Sequence, residues 1–355
     1  MLRKTAPLVV LCLALAGLVS CGSSASHYVY LALPGTNNGA IAAFREAGSS
    51  GVLTPLPGSP FTAGQGAHGV VIHPSNKFLY VTNSIANTVS LFTIAGDGSL
   101  TEVTPATQTG AGPNVVVMDT AGSFLYVANS LAGNISVFSI TSGSGALTPV
   151  AGSPFQIGAT ALAMALSPSG NFLFVASGVN QGLISVFSVN SGVLSTVGSP
   201  VQINQQNPVA IAVDATGGFL YTANSIDGTI SSFTIDSSGG LTQQNNSPLA
   251  INLAGPTALL IDQLGPWLYV AASSDIAAYS LPSSGAPTLL SGAGSPFAST
   301  SPLLLAEDPS GKTLFAVNAT TITSYAVTRS GTTAGALTSV TSTPVSAPAS
   351  IAITQ

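Results

Sequence analysis

From residue 28 to the end of the chain, apolar residues alternate with polar or small ones in runs of five or six, and the runs stop at Gly, Pro, Asn or Ser. A period of two with that punctuation predicts short β-strands, and no helical period persists beyond about two turns. The run Phe124-Leu125-Tyr126-Val127-Ala128-Asn129 has close copies starting at Tyr28, Phe78, Phe172, Phe219, Trp267 and Thr313, at steps of 50, 46, 48, 47, 48 and 46 residues. Seven units result. Self-similarity at that interval points to one closed array in place of two ordinary domains.

Within the unit from Pro113 to Pro154, the nearly continuous apolar run Pro113 to Met118 reads as a strand buried on both faces. We label it strand A. Strand B is Phe124 to Asn129, strand C is Ile135 to Ile140, and the shorter strand D is Leu147 to Val150. Four antiparallel strands per unit predict an all-β, seven-bladed β-propeller. Pro55, Pro105 and Pro149 fall in strand D, which places it at the rim, because a missing N–H is tolerated on an edge. The segment Pro348 to Ile353 matches strand A, whereas residues 28 to 57 supply B, C and D alone. The two termini are therefore expected to complete one blade.

Aromatic residues follow the same frame. The first position of strand B holds Tyr28, Phe78, Phe124, Phe172, Phe219 and Trp267, the third holds Tyr or Phe throughout, and strand C supplies one ring per unit. Phe61, Phe155 and Phe297 sit in Gly-Ser-Pro-Phe connections leading out of strand D. The regular placement predicts that the rings fill the space between blades, leaving none for a sugar-stacking platform.

Before the repeats, Arg3 and Lys4 precede an uncharged run from Thr5 to Val19 and then Ser20-Cys21. The apolar run is shorter than the about 20 residues of a membrane span. It reads as a lipoprotein signal over residues 1–20, with a lipidated Cys21 and a tether to residue 27, then the propeller over 28–355. The expected address is exported and lipid-anchored to the bacterial cell envelope, periplasmic or surface-facing. Cys12 leaves with the signal, so no disulfide is expected. Past the signal, four basic residues stand against eleven acids, a formal charge of −7. Arg45, Lys77, Lys312 and Arg329 are isolated, which argues against nucleic acid as a partner.

Antiparallel order places the D-to-A and B-to-C connections on one face, and the second residue of each strand A at its central mouth: His68, Asn114, Leu162, Val209, Thr257, Leu303 and Ala349. Asn83, Asn129, Asn224 and Asn318, at or just past the ends of strand B, could present amides there, or could bond their own backbone. The expected ligand-binding set is His68, Asn83, Asn114, Asn129, Asn224, Thr257 and Asn318. Asp119, Asp214, Asp262 and Asp308 recur in the A-to-B turn and read as turn caps, with His73 in the same slot. Glu307 interrupts a row otherwise apolar, where an acid must be solvated or paired. It would line an axial channel or point outward beside Asp308. No phosphate loop, zinc spacing, calcium loop or nucleophile elbow is present, and neither a cofactor nor a metal is expected.

The Phe-Leu-Tyr-Val-Ala-Asn-Ser repeats, with Ser167-Pro168-Ser169-Gly170 or Asp308-Pro309-Ser310-Gly311-Lys312 before strand B and Ala146-Leu147-Thr148-Pro149 after strand C, resemble the seven-bladed lactonase-type propellers, most nearly the 6-phosphogluconolactonase-like family. The resemblance implies this fold over residues 28 to 355. In the enzymes of that family one strand A opens Pro-Arg-His and its strand B ends Asn-Glu. Here Ala67-His68-Gly69 puts His68 at the Arg position and Gly69 at the His position, while Asn83-Ser84 keeps the Asn and loses the acid. The leading expectation is a monomeric envelope propeller that binds a protein or neutral carbohydrate through this mouth without chemistry. The alternative is lactone hydrolysis, with His68 as base and Glu307 as its charge partner.

Overall fold

In a computed structural model, residues 26–35 and 38–355 are described. They form seven antiparallel sheets of four strands in the order A-B-C-D from the centre outward. The innermost strands are Ser350–Ile353, Ala67–Ile72, Pro113–Met118, Ala161–Leu166, Pro208–Val213, Ala258–Ile261 and Leu304–Glu307, for blades 1 to 7. Each packs beside the next around the ring. Blade 1 joins both ends of the chain: Ser26–Leu33 pairs with Ser350–Ile353 in a register that sets Val29 opposite Ile353 and Leu31 opposite Ile351. The first strand begins at Ser26, two residues before the expected boundary. The expected signal, lipidation at Cys21 and most of the expected tether lie outside the described residues.

Seven hydrophobic clusters hold the ring, one at each junction between neighbouring blades. Their regularity comes from one device. The first ring of strand B rests against a glycine in the next blade's C-to-D turn: a Cβ on Gly285 would stand 2.1 Å from Phe219, and one on Gly98 2.3 Å from Tyr28. These glycines also have positive φ, +72° and +82°, which favours a residue without Cβ. The Tyr two positions on then donates to the same glycine's carbonyl, as Tyr30 to Gly98 at 2.7 Å, Tyr80 to Gly145 at 2.8 Å and Tyr221 to Gly285 at 2.8 Å. Buried hydroxyls thus acquire acceptors, and adjacent blades are fixed in register.

The rim differs from the expectation. The Gly-Ser-Pro-Phe segments do not leave the sheet; they interrupt strand D, and Phe61, Phe155 and Phe297 resume pairing with strand C. At the gap the serine hydroxyl accepts the strand C amide that would otherwise lack a partner, as Ser59 does for Ala43 at 2.9 Å and Ser153 for Val137 at 2.9 Å.

The closing junction is built differently. Thr313 and Phe315 replace the ring and the Tyr, and the fully buried Glu46 accepts from Gly51 N at 2.8 Å and Thr313 Oγ1 at 3.1 Å. Burial pushes its carboxyl above the ordinary value.

Candidate functional site

The D-to-A and B-to-C loops share the mouth face, and the A-to-B and C-to-D turns share the other. In blades 2 to 5 the start of strand A carries a β-bulge. The unpaired extra residue is Asn114, Leu162 or Val209 in blades 3 to 5, and the bulge spans His68-Gly69 in blade 2. Bulges free a side chain from the alternation of its strand and are common beside functional sites. All four of His68, Asn114, Leu162 and Val209 are half-buried, which fits their placement around an open mouth.

His68 has a defined tautomer. Its Nδ1 lies 3.1 Å from the Asn114 carbonyl oxygen. A carbonyl only accepts, so Nδ1 carries the proton and Nε2 keeps its lone pair. Burial lowers the imidazole pKa below its ordinary value, against the opposing pull of that carbonyl, and keeps the ring neutral near pH 7. Asn114 Oδ1 accepts from Val115 N at 2.8 Å, so its Nδ2 protons remain for a ligand. His73 shows the contrasting case: Nδ1 accepts from Ser75 N at 3.0 Å and Nε2 donates to Gly122 O at 3.0 Å. Both its nitrogens are engaged, Nδ1 within its own turn and Nε2 in the contact between blades 2 and 3.

The other expected ligand-binding residues have their donors engaged within the fold. Asn83, Asn129 and Asn224 are fully buried, and each Nδ2 donates to two side chains of the facing strand C: Thr88 and Ser90, Asn134 and Ser136, Thr229 and Ser231. They clamp the B-to-C hairpin. Asn318 donates to Thr300 O at 2.8 Å and accepts from the Thr320 and Thr321 amides, and the Thr257 hydroxyl donates to Pro302 O at 2.7 Å. Of the expected set, the structure leaves His68 and Asn114 available, side by side.

Glu307 is not brought to His68. It ends the innermost strand of blade 7, four frame positions beyond the level of His68 and two blades away, so the two are separated by about 13 Å along the axis alone. It neither lines a channel nor faces solvent. Arg329, in the C-to-D turn of blade 7, binds both oxygens of Asp262 at 2.6 and 2.7 Å and Glu307 Oε1 at 2.5 Å, while Gln263 N donates to Glu307 Oε2 at 3.0 Å. The guanidinium lies 5.3 Å from the Trp267 ring centroid. Burial, with the Asp262 carboxylate beside it, pushes Glu307 up to about 7 against the pull of Arg329. Asp119, Asp214, Asp262 and Asp308 accept amides of their own turns, as expected.

A cleft of about 410 Å³ lies on this second face between blades 5 and 6, lined by Phe219, Tyr221, Ile261 and Leu281 beside Asp214 and Asp262. Its carboxylates are held by the turns and by Arg329, so it offers an apolar wall without a free base. The mouth instead carries the His68 imidazole with Nε2 unengaged. No three His, Cys, Asp or Glu side chains among the described residues come together as metal ligands.

Charge divides the faces. Among the described residues, Arg45, Lys77, Lys312 and Arg329 all lie toward the second face, as do the acids apart from Asp227 and Asp275. Among the described residues the mouth face has no Lys or Arg.

Comparison with known proteins agrees with this architecture. A family model described as "Lactonase, 7-bladed beta-propeller" matches residues 37–164 and 158–259. No curated protein matches the chain. A putative 6-phosphogluconolactonase from Bacteroides fragilis superposes with a TM-score of 0.76 at 20% identity, covering 94% of this chain and 99% of its own. One from Bacteroides uniformis gives 0.78 at 21%, over 92% and 99%. The periplasmic gluconolactonase of Pseudomonas aeruginosa gives 0.76 at 17%, over 93% and 99%. At such identities the likeness concerns the fold. With the family model covering more than half of the sequence and seven four-stranded blades in the structure, the chain belongs to the seven-bladed β-propeller lactonase family.

Proposed function

We propose that this protein binds an uncharged lactone at the mouth and opens it with His68 as general base. The observation that carries this reading is the tautomer of His68, a neutral ring with Nδ1 held by Asn114 O and Nε2 unengaged. Nε2 takes a proton from water as the water oxygen attacks the lactone carbonyl. The Asn114 amide donates to the oxyanion. The ring C–O bond then breaks, and the imidazolium returns its proton to the departing alkoxide, giving the hydroxy acid. Family membership and the lactonase-named neighbours favour this over binding without chemistry. The lack of Lys and Arg at the mouth speaks for a neutral substrate, because phosphate and carboxylate recognition uses such groups.

General base catalysis contributes about 10²–10⁴-fold, so His68→Ala should lower kcat on δ-gluconolactone at least about 100-fold with little change in melting temperature. The acid limb of kcat/KM should fall below pH 6.5, the ordinary imidazole value, because the base must be deprotonated and burial lowers its pKa. A variant as active as the wild type would contradict the proposal.

Binding of a neutral carbohydrate or protein without chemistry keeps one observation in its favour: among the described residues the carboxylates on the mouth face, Asp227 and Asp275, lie in blades 5 and 6 and not beside His68. A lactone panel opened no faster than in buffer, beside a positive glycan array, would select it.

For location we propose acyl anchoring at Cys21, tested by fractionation of Cys21→Ser, which should turn soluble. The first strand starts at the second face, and the five residues from Cys21 to Ser26 reach at most about 18 Å. Such an anchor would hold the mouth away from the lipid.

A further inference from the structure

The mouth is chemically two-sided. On blades 2 and 3 it presents His68 and Asn114; on blades 4 and 5 the equivalent bulge residues are Leu162 and Val209. Neither aliphatic belongs to the packed clusters between blades, and both are half-buried. Beyond them, Val179 and Ile226 stand on the B-to-C loops of blades 4 and 5 with 51% and 55% of their surfaces exposed. Ile226 borders a surface hollow of about 370 Å³ whose other wall is Leu253. The carboxylate in that hollow, Asp227, is held by Gln206 N.

Exposed aliphatics recur on the B-to-C loops of blades 2 to 5, as Ile85, Leu131, Val179 and Ile226, but the inner aliphatics Leu162 and Val209 stand on one side of a mouth whose other side carries the polar pair. Among the described residues the loop tips carry no aromatic and no basic residue, unlike a face that lies against a charged surface. A ligand that matches both sides has an uncharged polar head and an aliphatic arm.

Building on the lactone reading, we infer that the ligand is an alkyl- or acyl-substituted lactone, with its ring over His68 and Asn114 and its hydrocarbon chain across Leu162 and Val209 toward the Ile226–Leu253 hollow. The arm enters a surface that covers it on one side, so each methylene adds about twofold in affinity, roughly half of what complete burial gives as a logarithm.

The test is a series of γ-lactones with one ring and alkyl chains of none to eight carbons, alongside the matching lactams, which resist opening and report binding alone. kcat/KM should rise at least tenfold over the first six carbons, through KM, and the lactam Kd should fall in parallel. In Leu162→Ser/Val209→Ser the long-to-short ratio should collapse to below threefold. Should that variant fail to fold, Ile226→Ser at the loop tip should lower the ratio for the longest chains alone. Chain-length-independent kcat/KM and Kd would overturn the inference, whether or not lactones are opened. If no lactone is opened but lactam binding still strengthens with chain length, the arm site stands and the hydrolytic reading fails.

Discussion

His68 and His73 are five residues apart in one blade, and their neighbours give them opposite tautomers and opposite fates. The sequence placed His68 at the mouth and His73 in a turn, because frame position is legible from periodicity. Which nitrogen carries the proton was not legible, since it depends on a carbonyl 46 residues away. The Asn residues at the ends of strand B show the converse limit. Their positions were readable, but their partners lie on the facing strand, and the reading as mouth donors for Asn83, Asn129 and Asn224 gives way to hairpin clamps. Glu307 announced itself as an acid in an apolar row; Arg329 and Asp262, which explain it, come from separate turns. Its folded pKa of about 7 stands above the ordinary 4.5. Stability from the protonated form is therefore complete below about pH 4.5 and lost as pH rises through 7. Relative to Glu307→Gln, the wild type should lose melting temperature between pH 5 and 7.5. A difference between the two that stays flat, or that favours the wild type as pH rises, would show that Arg329 keeps Glu307 ionised throughout.

Strand order, blade phase and the rim position of strand D followed from apolar alternation, proline placement and repeat length. The interruption of strand D did not, because Gly-Ser-Pro reads locally as a turn, and only the serine hydroxyl on a strand C amide shows that the sheet continues past it. The glycine in the C-to-D turns of blades 2 to 7 likewise reads as turn chemistry until the ring from the preceding blade is seen against it. Gly285→Ala would place Cβ 2.1 Å from the Phe219 ring at φ +72°. A left-handed non-glycine residue costs about 1–2 kcal/mol and overpacking about 1–3 kcal/mol, so a loss of about 2–5 kcal/mol is expected by chemical denaturation. Gly331, with φ +84° and open space around it, should lose only the backbone part on the same change. Equal losses at the two sites would remove the ring contact from the account.

At the scale of the molecule, closure by both termini was readable from the leftover strand A at the end of the chain, and the pairing of Ser350–Ile353 with the first strand agrees. Ile351 and Ile353 are half-buried against the cluster between blades 7 and 1, so the pair contributes about half of the 3–6 kcal/mol that complete burial gives. Tyr28 adds two hydrogen bonds to Thr354, its amide donating to Oγ1 at 2.8 Å and its carbonyl accepting from the Thr354 amide at 3.0 Å. Removing residues 347 to 355 should still lower the melting temperature by many degrees, because net stabilities are only about 5–15 kcal/mol; a shift of a degree or two would mean the ring does not need this strand.

The division of charge between the faces could be read only once topology had sorted the loops, and it bears most directly on function. A site without Lys or Arg gives a phosphate dianion no partner, and each charge-assisted hydrogen bond it lacks is worth about 1.5–3 kcal/mol. The direct measurement is the ratio of kcat/KM for δ-gluconolactone to that for its 6-phosphate, taken on the same preparation at one ionic strength. A mouth without Lys or Arg, with His68 as base, predicts a ratio of about ten or more in favour of the neutral lactone. A preference for the phosphorylated lactone would contradict it and move the active site to the face that carries the cations.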